Sequence, residues 1–165
     1  MKTLLLIRHA KSDWQDASLS DFERPLNERG RKDAPAMAER LKERDIRVDV
    51  LISSPAKRAR KTAEQFSRTL KINGEGLILK TELYLAPADE FFTVLESLGD
   101  QLESVAVFAH NPGITDFANA LTDARVDNIP TCGIFAVSVQ TKKWSSFRKA
   151  KKEFLFFDYP KAKLL

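Results

Sequence analysis

With 165 residues, 43% of them hydrophobic and 30% charged, the chain has the composition of a soluble globular protein long enough to bury a real core, and one domain spanning 1–165 is expected. The net charge of +4 suggests an anionic partner without naming its kind. A single cysteine, Cys132, excludes an internal disulfide and every multi-cysteine metal site. No apolar run approaches the ~20 residues of a membrane span, and Arg8 and His9 interrupt the first one too early for a secretory signal, so no membrane association and a cytoplasmic location are expected.

The first predicted element is a buried strand, Thr3-Leu4-Leu5-Leu6-Ile7, which ends abruptly in Arg8-His9. A polar stretch from Lys11 to Asn27 follows and reads as a long functional loop at the carboxyl end of that strand. Asn27 or a neighbour caps a helix to about Arg44, with Ala34, Met37, Ala38 and Leu41 at helical spacing. Val48 to Ile52 is a second strand. Ser54 is then expected as the N-cap and Pro55 as the first residue of a helix running to about Leu70. A turn at Asn73-Gly74-Glu75-Gly76 precedes a third strand at Leu77-Ile78-Leu79-Lys80. Pro87 to Leu98 carries a helical pattern, Ser104 to Ala109 is strand four, and a helix from about Ile114 to Leu121 follows Asn111-Pro112-Gly113. Strands at Gly133 to Val139 and Glu153 to Phe157 flank a basic segment, Lys142 to Lys152. No nucleic-acid motif accompanies those cations, so no nucleic-acid partner is expected.

Strands alternating with helices argue for an α/β sandwich around a mainly parallel sheet, helices flanking it to make three layers. Ligands bind such sheets beyond the carboxyl ends of the strands. That rule gathers Arg8, His9, Ser53, Ser54, His110 and Asn111 on one edge, each directly following a strand. His9 and His110 are the only histidines in the chain. Arg58 lies just inside the helix after Ser54, where a guanidinium fork beside a helix amino terminus makes an oxyanion cradle. Taken alone Arg58 would be one surface cation among several, but convergence with Arg8 and two histidines supplies a nucleophile and an anion clamp. Phosphoryl transfer needs little more than these. A neutral imidazole can attack phosphorus directly, and neighbouring arginines oppose its protonation.

Leu5-Leu6-Ile7-Arg8-His9-Ala10, then Ser53-Ser54-Pro55-Ala56-Lys57-Arg58-Ala59-Arg60-Lys61-Thr62-Ala63, then Ala109-His110-Asn111-Pro112-Gly113 resemble the ordered signature of the histidine phosphatase, or phosphoglycerate-mutase-like, superfamily. Arg24-Pro25-Leu26-Asn27-Glu28-Arg29-Gly30 and the short length look most like its SixA-type phosphohistidine phosphatase branch. The resemblance implies that His9 becomes phosphorylated while Arg8, Arg58 and His110 hold the phosphoryl oxygens, and that no metal or organic cofactor takes part. Ser12 and Asn111 are further expected phosphate-binding residues at the same edge.

Two positions depart from the family pattern. Ala10 stands where glycine is usual, which is tolerable at negative φ. Asn111 stands where many members carry a proton-donating carboxylate, and an amide cannot donate a catalytic proton. Glu82 is the expected alternative acid and Asp89 a second candidate. A weak or absent acid suits a phosphohistidine, whose imidazole is a far better leaving group than an alkoxide. The expected activity is therefore a phosphatase acting through phospho-His9 on phosphohistidine in a protein. A small-molecule phosphomonoesterase and a phosphate-binding module without turnover are the other readings these residues admit. Cys132 fails as a cysteine-phosphatase nucleophile, because the arginine such a loop places six residues later is here Ser138.

Overall fold

The computed structural model describes residues 1–162, and the last three positions of the expected 1–165 span lie outside them. Six strands, β1 (Lys2–Arg8), β2 (Val50–Ser53), β3 (Leu77–Leu79), β4 (Ser104–Ala109), β5 (Ile134–Val139) and β6 (Lys152–Asp158), form one sheet in the order β3-β2-β4-β1-β5-β6. The first four in that order are parallel, whereas β5 runs antiparallel to β1 and β6 antiparallel to β5. The helices are α1 (Glu28–Glu43), α2 (Lys57–Leu70), α3 (Ala88–Glu96) and α4 (Gly113–Leu121).

The apolar runs of β1, β2 and β4 are continuous because helices cover both faces of the sheet. Leu5, Ile7, Leu51, Ala106 and Phe108 pack on one side with Ala34, Met37 and Ala38 of α1 and Phe66 of α2. Leu4, Leu6, Ile52, Val105 and Val107 pack on the other with Phe91 and Leu95 of α3 and Ile114 and Phe117 of α4. Chain direction explains the division. The crossovers from β1 to β2 and from β2 to β3 travel the same way along the sheet, then β3 to β4 reverses. A right-handed crossover from β3 to β4 therefore places α3 on the opposite face, where α4 packs beside it. The three-layer α/β sandwich expected from the sequence is the fold observed.

Parallel pairing aligns the strand ends. Arg8 pairs with Ala109, and Ser53 with Phe108. The alignment persists one residue beyond: the His9 N–H donates to the Ala109 carbonyl at 3.2 Å and the Ser54 N–H to the Phe108 carbonyl at 2.9 Å. His9, Ser54 and His110 thus leave the sheet side by side.

One predicted helix start is corrected. Ser54 is not an N-cap, because α2 begins at Lys57 and its cap position, Ala56, contributes no side-chain bond. The Ser54 hydroxyl accepts the Ala56 N–H at 3.2 Å and meets His110 instead, so the residue belongs to the edge and not to the helix. The Lys57 N–H is also taken, by the Phe22 carbonyl at 2.9 Å. By contrast Asn27 does cap α1, its side chain accepting the Gly30 N–H at 2.8 Å.

Gly113 opens α4 immediately after the His110 segment, and a Cβ there would stand 1.8 Å from the Ala86 carbonyl oxygen. Backbone cannot yield as a side-chain tip can. Gly113→Ala is expected to lower stability by about 1–3 kcal/mol, read by urea unfolding, as overpacking does; an unchanged midpoint would show that this close approach is not a constraint.

Candidate active site

His9 follows β1 and is 7% exposed. Its Nδ1 lies 2.8 Å from the Ala10 carbonyl oxygen, an acceptor, so that nitrogen carries the ring proton. The lone pair is left on Nε2. Burial holds the His9 pKa well below 6.5, and His110, Arg58 and Arg8 push it the same way against the Ala10 bond. The loop that sets this geometry is itself fixed: the Ala10 N–H donates to Thr62 Oγ1 at 2.9 Å, and that hydroxyl donates to the Arg58 carbonyl at 2.8 Å. Ala10 is not among the residues with positive φ, so its side chain is accommodated without strain.

His110, 2% exposed, faces His9 with ring centroids 5.3 Å apart. Its Nε2 is 2.8 Å from Ser54 Oγ. Because Ser54 already accepts from Ala56, the assignment that uses its one proton has the hydroxyl donating to Nε2. The His110 proton then sits on Nδ1, which is buried and has no partner. Burial first and Arg58 second press the His110 pKa down to about 3. The Tyr84 ring packs edge-on against it at 5.6 Å.

Three arginines surround the two rings. Arg8 donates through Nη1 to the Ile129 carbonyl at 3.1 Å, and its own pKa is lowered by burial and by Arg58. Arg58, 3% exposed, donates through Nη1 to the Asp21 carbonyl at 2.7 Å and through Nη2 to Asp21 Oδ2 at 3.0 Å. Arg24, 8% exposed, donates through Nη2 to Asp21 Oδ1 at 2.9 Å and through Nη1 to Ser12 Oγ, with its guanidinium 3.6 Å above the Trp14 ring. Tyr84 donates its hydroxyl to Asp21 Oδ2 at 2.5 Å. Burial alone would raise the Asp21 pKa, but the bonds from Tyr84, Arg24 and Arg58 outweigh it and hold the carboxyl well below the usual range. With both imidazoles neutral, three guanidinium groups against one carboxylate leave a surplus of two positive charges, which matches a phosphoryl dianion.

Arg8, His9, Arg58 and His110 are thus brought together. Ser12 is beside them through Arg24. Asn111 sits at the same edge with its amide engaged elsewhere, donating to Asn128 Oδ1 at 2.6 Å and to the Ile129 carbonyl at 3.0 Å, and accepting from Thr115 at 2.6 Å. Glu82 is exposed on a 3-10 turn, Thr81–Leu83, and accepts from the Thr81 hydroxyl at 2.9 Å. That bond, with the Glu82 backbone and Lys80, lowers its pKa, the direction opposite to that of a general acid at neutral pH. Asp89 pairs with Arg148 at 3.4 Å in the first turn of α3. Cys132 is buried, and burial pushes its thiol pKa upward. Among the described residues no group of three or more His, Cys, Asp or Glu side chains is placed to hold a metal ion, and no helix is long and apolar enough to cross a membrane.

Asp21, Tyr84 and Thr62 went unassigned in the sequence, and Arg24 appeared there only within a motif. Asp21 stands three residues before Arg24 in that same stretch, a spacing that could have suggested a pair. Tyr84 offered no signal, since its partner is distant in sequence.

The family model described as histidine phosphatase superfamily (branch 1) matches residues 4–82. An uncharacterised chloroplastic protein of Arabidopsis thaliana is 25% identical over 158 residues, covering 87% of this chain and 69% of that protein. The crystal structure of a proposed phosphohistidine phosphatase SixA from Agrobacterium tumefaciens aligns with a TM-score of 0.81 at 25% identity, over 96% of this chain and 98% of the other. A protein histidine phosphatase SixA complexed with tungstate aligns with a TM-score of 0.81 at 22% identity, over 96% and 97%.

The neutral histidines have a consequence for stability. Their folded pKa values lie below the unfolded value of 6.5, so the unfolded chain binds more protons and stability falls as pH drops through about 6.5, continuing to about 3 for His110. Each histidine contributes a slope of up to about 1.4 kcal/mol per pH unit within its window. Urea unfolding is expected to show lower stability at pH 5 than at pH 7, with neither imidazole C2 proton titrating between pH 8 and 5 by NMR. A folded-state titration near pH 6.5 would contradict the burial and charge argument.

Proposed function

The chain belongs to the histidine phosphatase superfamily, and on that premise we propose that it is a cofactor-independent phosphatase that forms a phosphohistidine on His9 and acts on phosphohistidine in a protein. One observation carries the reading: a neutral, buried imidazole, pinned through Nδ1 to the Ala10 carbonyl, offers its Nε2 lone pair beside Arg8 and Arg58. Nε2 attacks phosphorus in line, the new N–P bond forming as the substrate P–N bond breaks. A substrate imidazole protonated on its other nitrogen departs neutral. Water then attacks phospho-His9 and releases inorganic phosphate, returning the lone pair to Nε2. Arg8 and Arg58 neutralise the equatorial oxygens, and the unpartnered His110 Nδ1–H donates to one of them.

The leaving group favours this substrate over an alkyl ester, because none of the neighbouring carboxyls is suited to donate a proton. Asp21 is held ionised and Glu82 is exposed with a lowered pKa. The likeness to structures described as phosphohistidine phosphatases supports the same substrate. A tetrahedral oxyanion, tungstate, bound to one of them is what an arginine clamp of this kind would attract. A cytoplasmic location and Ser12, whose hydroxyl accepts from Arg24, as a phosphate-binding residue complete the reading.

A panel of a phosphohistidine protein, aryl phosphate and sugar phosphates tests it. The protein substrate should be cleaved fastest and His9→Ala should abolish turnover; faster cleavage of simple esters would make the chain a small-molecule phosphomonoesterase. Glu82→Gln is expected to leave phosphohistidine cleavage within threefold, and a tenfold fall would return Glu82 to the chemistry as a proton donor.

A further inference from the structure

We propose that Asp21 is a positioning residue for the phosphoryl clamp: its carboxylate grips the terminal edges of Arg24 and Arg58 so that their Nε–H edges are presented to the phosphoryl group, which makes Arg24 a third guanidinium ligand beside Arg8 and Arg58. This rests on the proposed phosphatase reading. Buried nitrogens without a partner are costly, and four of them belong to this site: Nδ1 of His110, and Nε of Arg8, Arg24 and Arg58, the three arginines whose charges act on His110. The remaining such nitrogen among the described residues, Arg40 Nε, belongs to an arginine paired with Asp158.

The same arrangement recurs at all three site arginines. Arg8 spends Nη1 on the Ile129 carbonyl. Arg58 spends both terminal nitrogens on Asp21, one on its carbonyl and one on its carboxylate. Arg24 divides its terminal nitrogens between Asp21 and Ser12, while Trp14 covers one face of the guanidinium. Arg24 and Arg58 give both terminal nitrogens to the protein and Arg8 gives one, and in all three the Nε–H is left without a partner. A guanidinium binds an oxyanion through two adjacent N–H groups, and the Nε–H with the second hydrogen of the neighbouring terminal nitrogen is such a pair. Asp21 is the common element, since one carboxylate holds Arg24, Arg58 and Tyr84 at once. Its bonds also offset repulsion between the two cations it joins, which would otherwise spread the clamp.

The rival arrangement is a plug, in which the Asp21 carboxylate occupies the anion position and is expelled by substrate. NMR on the wild-type protein separates the two. As inorganic phosphate is titrated, the Nε–H resonances of Arg8, Arg24 and Arg58 should shift together while the Asp21 carboxyl carbon stays nearly still. Movement of the Asp21 carbon with static Nε–H resonances would overturn the assignment. Asp21→Asn should weaken phosphate binding by at least tenfold, by calorimetry. Tighter or unchanged binding in Asp21→Asn would establish the plug or an idle contact and defeat positioning. A wild-type protein that binds no phosphate would defeat the phosphatase reading itself, whereas phosphate binding without Arg24 movement defeats only this inference.

Discussion

The parallel pairing of β1 with β4 is the constraint on which the site depends. It sets two segments about a hundred residues apart in a common register, so that Arg8 ends opposite Ala109 and the next residue on each strand is a histidine. A slip of one residue would turn every apolar side chain of a strand to the wrong face, and both faces are packed by helices. Core burial therefore fixes the distance between the histidine rings as firmly as any contact between them. β2 supplies Ser54 on the same edge, and α2 carries Arg58 and Thr62 back toward it.

Electrostatics then makes a buried imidazole reactive. Burial first, and then His110, Arg58 and Arg8, make His9 expensive to protonate, so it stays neutral without needing a carboxylate to hold its tautomer. The backbone does that through the Ala10 carbonyl. His110 is arranged in the mirror sense, with its Nε2 satisfied by Ser54 and its Nδ1 left free to donate. One ring thus presents a lone pair and the other a proton, from the same residue type, because the Ala10 carbonyl takes the ring proton of His9 whereas the Ser54 hydroxyl gives its proton to His110.

Much of this was legible in the sequence because it rests on strong local patterns. Continuous apolar runs ending in Arg8-His9 and Ala109-His110 announced buried strands delivering polar residues, and both the fold and the meeting of the two histidines followed. The start of α2 was misread because Ser54-Pro55 has good capping chemistry, yet tertiary demand claimed the serine hydroxyl for His110. Asn111 looked like a free site amide, but besides the nearby Thr115 its partners are Asn128 and Ile129, which only the loop before β5 brings near. Asp21 and Tyr84 could not be paired from sequence, because a loop carboxylate and a phenol on another turn share no periodicity. The cationic site contains a carboxylate for a reason that only the three-dimensional arrangement of the arginines makes visible.

The central claim, that His9 Nε2 takes the phosphoryl group, is tested most directly by rapid quench with a radiolabelled phosphohistidine protein followed by peptide mapping. An acid-labile, base-stable label is expected on the peptide containing His9, absent in His9→Ala and turned over in the wild type. Label on another residue, or turnover that persists in His9→Ala, would contradict it.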